Sequence, residues 1–173
     1  PSGAGSYLYE LSAGDTWISS DPAAMNRWIE NQISNRSPEV DGSYQLRRII
    51  RMGKFSAKTH ANRTRLKFPG GLVATALFIE AYEPEFGRDD VAFRKTLRRL
   101  SGRRSFLPVS ANGIVVTDDK DTDRIARLSE QARLATIELD KLDHPATTSF
   151  EARKAWNATF RHGYFNNDVD TTE

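Results

Sequence analysis

Residues 72–79, Leu-Val-Ala-Thr-Ala-Leu-Phe-Ile, are the most restrictive stretch of this sequence. They carry no charge and show no apolar-polar alternation, so neither a half-exposed strand nor a surface helix accounts for them. Phe68-Pro69-Gly70-Gly71 comes just before, a sharp stop that ends one element and lets another begin. The pattern predicts a helix over 71–82 that is buried on most sides. No apolar run approaches the ~20 residues needed to cross a bilayer, so the apolar surroundings of this helix must be protein, with no membrane partner. The 173 residues suffice for one domain with a sizeable core. Residues 1–5 lack the basic start and apolar stretch of a signal peptide, and a cytosolic protein is expected.

The rest of the chain reads as amphipathic helices around that segment. After a flexible Pro-Ser-Gly-Ala-Gly-Ser lead, β-favouring residues at 7–11 and 16–19 predict a short hairpin. Asp21-Pro22 predicts a helix start, because Asp caps free amides and Pro fits the first helical position. That helix should run to about Asn35 and bury Trp28, Ile29 and Ile33. After Ser37-Pro38, Leu46, Ile49, Ile50, Gly53 and Ala57 recur at helical spacing and predict a helix over 43–61. Asp89-Asp90 opens another, carrying Val91, Phe93, Leu97 and Leu100 to about Gly102. Residues 103–117, with Pro108 and Asn112-Gly113, read as a loop with one short strand at 114–116. Further helices are expected over 122–142, with Ile125, Leu128, Ala132, Leu134, Ala135 and Leu139 as apolar positions, and over 149–160. The fold expected is mainly α, a helical bundle lobe over 21–165 behind a short N-terminal hairpin, with a flexible polar tail at 166–173.

Charge narrows the functional classes. The formal net charge is only +2, but residues 42–79 contain no acid and eight cations, Arg47, Arg48, Arg51, Lys54, Lys58, Arg63, Arg65 and Lys67. Arg47, Arg51, Lys54 and Lys58 are spaced by four, three and four residues, so they share one helix face beside the apolar stripe. A solvated basic face is one reading. Such a face normally mixes signs, however, and the missing local acid leaves room for the second reading, a bound phosphate. Lys67-Phe68-Pro69-Gly70-Gly71 offers unpaired amides at a helix start beside a lysine, which can hold an anion, or it is simply the turn that starts the helix. It lacks the Gly-Lys-Ser/Thr ending of a Walker loop.

Other chemistries are weakly represented. There is no cysteine, which removes disulfides, thiolate nucleophiles and Cys-containing zinc sites, and His60, His144 and His162 are scattered. Asp119, Asp121, Asp123 and Glu130 mimic a calcium loop, but Arg124 stands where that loop needs Gly, so an acidic helix start is expected there instead. The pairs Asp89-Asp90 and Asp118-Asp119 fit helix starts and turns. No nucleophile elbow or His-based triad is readable. Trp17, Trp28 and Trp156 could stack on bases, although core or boundary positions are the commoner use.

Trp17-Ile18-Ser19-Ser20-Asp21-Pro22, Leu46-Arg47-Arg48-Ile49-Ile50-Arg51-Met52-Gly53-Lys54-Phe55, Phe68-Pro69-Gly70-Gly71-Leu72-Val73-Ala74-Thr75 and the segment 156–160 occur in an order and spacing that resembles the C-terminal helical half of bacterial cGAS/DncV-like nucleotidyltransferases, relatives of oligoadenylate synthetase. Members of that family join nucleotides into cyclic di- or trinucleotides that serve as antiphage signals. The resemblance implies a lobe that binds ATP or other nucleoside triphosphates. Lys54 matches the family lysine that reaches the triphosphate. Arg47, Arg51, Lys58, Gly70, Gly71 and Ser19 would line the same nucleotide-binding region, and residues 1–20 would be a remnant of the catalytic core. The family's Gly-Ser loop and the acidic residues that hold two magnesium ions are absent. The resemblance therefore implies a fragment, inactive alone, whose Mg2+ and missing N-terminal catalytic half lie in residues outside this chain. Gly70-Gly71 stands where relatives often place a serine, so only backbone contacts are implied there. The competing class is a non-enzymatic helical module that binds nucleic acid or protein through the same basic face, and a third is a plain structural domain.

Overall fold

Amides at a helix start need an acceptor, and Asp, Thr and acidic first turns mark several of the starts in this chain. The computed structural model describes residues 9–13, 16–40 and 42–166. Strands β1 (Tyr9–Ala13) and β2 (Thr16–Ser20) pair antiparallel, with Tyr9 opposite Ser20 and Ala13 opposite Thr16. Helix α1 (Pro22–Arg36) is capped by Asp21, whose Oδ1 accepts the Ala24 amide at 2.8 Å, and Pro22 opens it as expected. Two-residue strands β3 (Glu39–Val40) and β4 (Ser43–Tyr44) turn the chain into α2 (Gln45–Thr64). Then come α3 (Gly71–Ala81) and α4 (Asp89–Ser101), whose first turn holds Asp89 and Asp90. A small hairpin, β5 (Ser110–Ala111) and β6 (Ile114–Val115), precedes α5 (Asp121–Asp140). Helix α6 (Ser149–Phe160) starts with a complete capping box, in which Thr148 and Glu151 satisfy each other's backbone amides. Single 3-10 turns follow α5 and α6, at Lys141–Asp143 and Tyr164–Asn166.

Helix α3 is buried as its composition requires: residues 73–79 and Ala81 are all inside. It lies against α2 and α4; α4 packs on α5, α5 on α6, and α6 returns to α2. The expected stripe of α2, Leu46, Ile49, Ile50, Gly53 and Ala57, faces this core. At Gly53 the Phe78 side chain of α3 lies directly on α2. A Cβ there would stand 2.1 Å from the Phe78 ring, so only glycine lets that ring lie against the α2 backbone.

Two buried polar clusters fix how α2 sits. Gln45 is fully buried and fully satisfied: Nε2 donates to the Glu85 carbonyl at 2.6 Å and to Asp89 Oδ1 at 3.0 Å, while Oε1 accepts from Tyr82 Oη at 2.8 Å and from the Glu85 amide at 3.0 Å. Arg48 clamps Asp89 and donates to the Ser43 carbonyl at 2.8 Å. Further along, Ser56 Oγ donates to the Thr159 carbonyl at 2.7 Å and accepts from Gln131 Nε2 at 2.6 Å, joining α2, α5 and α6.

Several expectations shift. Helix α2 starts two residues late, because Ser43 and Tyr44 pair as a strand, and it runs on to Thr64, where Arg65 adopts a left-handed conformation and donates its amide to the Ala61 carbonyl. The 103–117 loop holds two strands rather than one, since Asn112 and Gly113 both take positive φ and make a turn suited to a hairpin. Helix α5 ends at Asp140, and the last expected residues tighten into the 3-10 turn. Leu134 is exposed: two residues past buried Ala132, it is about 200° around the helix. Trp28 and Trp156 pack at the edge of the core, Trp156 in a three-ring cluster with Phe93 and Phe160 at ring separations of 6.3 and 5.9 Å. Asp121 and Asp123 occupy the first turn of α5, which continues unbroken through Glu130. The lead at residues 1–6, the first two residues of the 7–11 strand, and tail residues 167–173 lie outside the described residues. Asn166, where the tail was expected to begin, accepts from Asn157 Nδ2 at 2.6 Å. No described helix is long and apolar enough to cross a membrane.

Candidate anion-binding site

The core stripe of α2 dictates what its other face presents. With Leu46, Ile49, Ile50 and Gly53 inward, Arg51, Lys54 and Lys58 are exposed and Arg47 is half-buried. The eight cations of the 42–79 stretch then divide by their partners. Arg48 is structural, committed to Asp89, and its guanidinium holds the Asp89 carboxyl below the usual carboxylate range. Arg47 pairs with Glu30 of α1, an acid seventeen residues away in sequence, so its charge is answered by the fold. Arg51 and Lys58 have no side-chain partner among the described residues.

Lys54 is placed differently. Its Nζ donates to Thr75 Oγ1 at 3.4 Å, and a Cβ on Gly71 would lie 3.7 Å from the same Nζ. Thr75 in turn donates to the Gly71 carbonyl at 2.8 Å. The lysine thus stands over the first turn of α3, and the two features that the sequence offered separately, the cationic face and the Pro-Gly-Gly start, become one place. The packing of Phe78 on Gly53, one residue before Lys54, lies beside that place.

The start of α3 is electrostatically incomplete. Gly70 is its N-cap, no side chain caps it, and no acid lies in its first turn. A helix N-terminus carries about half a positive charge, and an ammonium beside it adds a full one. Helices often place carboxylates there, as α1, α4, α5 and α6 do with Asp21, Asp89, Asp121 and Glu151. Helix α2, like α3, has neither a side-chain cap nor an acid in its first turn, but α3 also has a lysine from another helix beside its start. An anion is the group that would satisfy this arrangement.

Neither glycine of the pair is demanded by packing. A Cβ on Gly70 would meet nothing within 4 Å, and one on Gly71 would meet only Lys54 Nζ. Both have room for a side chain; glycine leaves open space beside the ammonium instead. Lys67, exposed on the connecting segment, is steadied through its carbonyl, which accepts from Arg127 Nη1 of α5 at 3.1 Å. Ser19 sits in β2 opposite Glu10, and its side chain is outside the described residues.

Sequence reading missed Thr75 and Phe55. Thr75 was hidden inside an apolar run, although its place one turn after Gly71 puts it under the helix start. Phe55 is 45% exposed, four residues after Arg51 and three before Lys58, where a position off the apolar stripe could have marked it. Two concavities lie elsewhere. One of about 860 Å3 is bordered by Ile137, Lys141, His144 and Lys154, and one of about 180 Å3 by Phe106, Val115 and Thr122. The cationic face is a part of neither of these two. Among the described residues no cluster of three or more His, Asp or Glu is placed to hold a metal ion. No protein-family model matches the chain, and no curated protein matches it.

Proposed function

We propose that this chain is the triphosphate-binding lobe of a nucleotidyltransferase that makes cyclic oligonucleotide signals, with ATP or another nucleoside triphosphate as its ligand. The observation that carries the reading is Lys54 Nζ standing over the uncapped, acid-free first turn of α3. Backbone amides of that turn and the ammonium converge on one anion, while Arg51 and Lys58 extend the positive surface along α2. Ammonium and guanidinium groups hold phosphate oxygens, and on the family resemblance Mg2+ and the acidic residues that bind it would belong to a separate catalytic half. In that assembly the lobe's task is positioning: it fixes the triphosphate so that the metal-bearing half can act on it. The order of the four motifs, from Trp17 to Phe160, supports the same assignment, and the mainly helical architecture is the one it requires.

The exposure of Arg51, Lys58, Arg63 and Arg65 also suits a non-enzymatic module that binds nucleic acid through these side chains. Titration of ATP and GTP, with magnesium, into the protein and its Lys54→Ala variant distinguishes the two. The triphosphate reading expects binding that falls at least about tenfold in the variant, the cost of one charge-assisted phosphate contact. Equal affinity in both proteins refutes the role of Lys54. Tight, steeply salt-dependent binding of duplex nucleic acid without triphosphate binding favours the module.

A further inference from the structure

The cationic face of α2 has two borders of different chemistry. Lys54 and the start of α3 form one. Phe55 forms the other, about 100° around a helix some 10–12 Å across, with Arg51 and Lys58 between them. Phe55 is not a stray surface apolar residue. Its ring is held against α6 by Phe160, at 5.9 Å and 51°, and by His162, at 5.7 Å and 60°. That end of α6 is itself fastened to α2: Thr59 Oγ1 donates to the Phe160 carbonyl at 2.6 Å, and Arg161 Nε donates to His60 Nε2 at 3.2 Å. His60 Nδ1 faces the Ser56 carbonyl at 3.0 Å, so the neutral imidazole serves as donor on one side and acceptor on the other. The aromatic ring is thus braced in place while 45% of the residue stays open to solvent, beside two cations with no partner among the described residues.

We infer that Phe55 is the stacking platform for the base of the bound nucleotide, with the sugar and phosphates crossing Arg51 and Lys58 to reach Lys54 and Gly71. The inference rests on the triphosphate reading and adds to it the position of the base. A rigid, part-exposed aromatic beside guanidinium and ammonium groups is the arrangement on which bases stack with little sequence preference. An extended nucleoside triphosphate has its base and its phosphates at opposite ends, as the two borders of this face require. His162, exposed and next to the ring, lies where it can contact the edge of the base.

The test compares wild type with Phe55→Leu, which keeps apolar packing on Phe160, Phe55→Trp, which keeps a ring, and Lys54→Ala. Each is titrated with ATP and with inorganic tripolyphosphate, both with magnesium, after melting curves establish that the variant is folded. Phe55→Leu should weaken ATP about tenfold and leave tripolyphosphate unchanged, and Phe55→Trp should restore ATP. The triphosphate of 2-aminopurine riboside should lose fluorescence on binding to wild type and keep it on binding to Phe55→Leu. Equal ATP affinity in wild type and Phe55→Leu overturns the platform, and the triphosphate reading survives that result if Lys54→Ala loses both ligands. Equal weakening of ATP and tripolyphosphate by Phe55→Leu assigns Phe55 a structural role and overturns the platform as well. If wild type binds neither ligand, both proposals fall.

Discussion

Gly70→Asp should make the protein more stable and a poorer anion binder. Gly70 is the N-cap of α3, its φ of −59° and ψ of 163° suit a non-glycine cap, and a Cβ there meets nothing within 4 Å. Replacing a glycine cap with Asp is worth a few tenths of a kcal/mol. The carboxylate also gains about 0.3–1 kcal/mol from the helix N-terminus. An exposed pairing with the Lys54 ammonium adds about 0.2–1 kcal/mol. Together these give about 1–2 kcal/mol, which in a chain of this length raises Tm by roughly 2–8 °C. Urea denaturation at pH 7 measures the gain; because the helix start and the Lys54 ammonium hold the new carboxyl below its usual value of ~3.9, the charge-dependent part should shrink as pH falls below about 4 and be gone near about pH 2. In the same variant triphosphate affinity should fall about tenfold or more, because a built-in anion occupies the place of the ligand. Gly70→Asn, a neutral cap of the same shape, should gain only the capping increment and keep its affinity. A Gly70→Asp protein that is no more stable than wild type would mean that the start of α3 does not lack negative charge. Unchanged triphosphate binding in it would separate the anion from this helix.

Two further consequences concern the framework that holds the site. Gly53→Ala gains up to about 1 kcal/mol of helix propensity but forces a methyl within 2.1–2.6 Å of three Phe78 ring atoms, so a net loss of about 1–2 kcal/mol is expected in urea; adding Phe78→Leu should recover part of it, and a Gly53→Ala protein more stable than wild type would contradict the close packing of that ring. Tyr82 is buried with its hydroxyl bonded to Gln45, and burial pushes its phenol up to about 12. The neutral phenol is therefore favoured in the fold, a contribution fully present below pH 10 and lost as pH rises toward about 12. Absorbance at 295 nm should show a late ionisation that accompanies unfolding and is missing from Tyr82→Phe; identical high-pH titrations of wild type and Tyr82→Phe would contradict this.

The parts of the fold that were legible are those written in local chemistry. Asp21-Pro22 started α1, the run at 72–79 was buried from Val73 onward, and 149–160 formed a helix with the expected limits, because a cap, a pattern or a stop marks each. The two-residue strands were not legible, since two paired residues leave no period to detect. At the site, spacing placed Arg47, Arg51, Lys54 and Lys58 on one face correctly. It could not reveal that Glu30 would answer Arg47, or that Arg48 would turn to Asp89, because both acids arrive from other helices. Nor could spacing join Lys54 to Gly71. That contact depends on how α3 packs against α2, with Phe78 lying on Gly53.

Bringing those cations together works against the helices that carry them. Like charges three and four residues apart on α2 repel one another, and an ammonium over the start of α3 opposes that helix's dipole. Neither helix needs this arrangement for its own stability. α2 is fixed at one end by the Gln45 and Arg48 clusters and further along by Ser56, so its orientation is determined by buried groups on the opposite side. α3 is held by burial along nearly its whole length. The core can therefore keep Lys54 where electrostatics alone would move it away. On the triphosphate reading, the core and the Thr75 hydroxyl together hold Lys54 where it can share an anion with the start of α3.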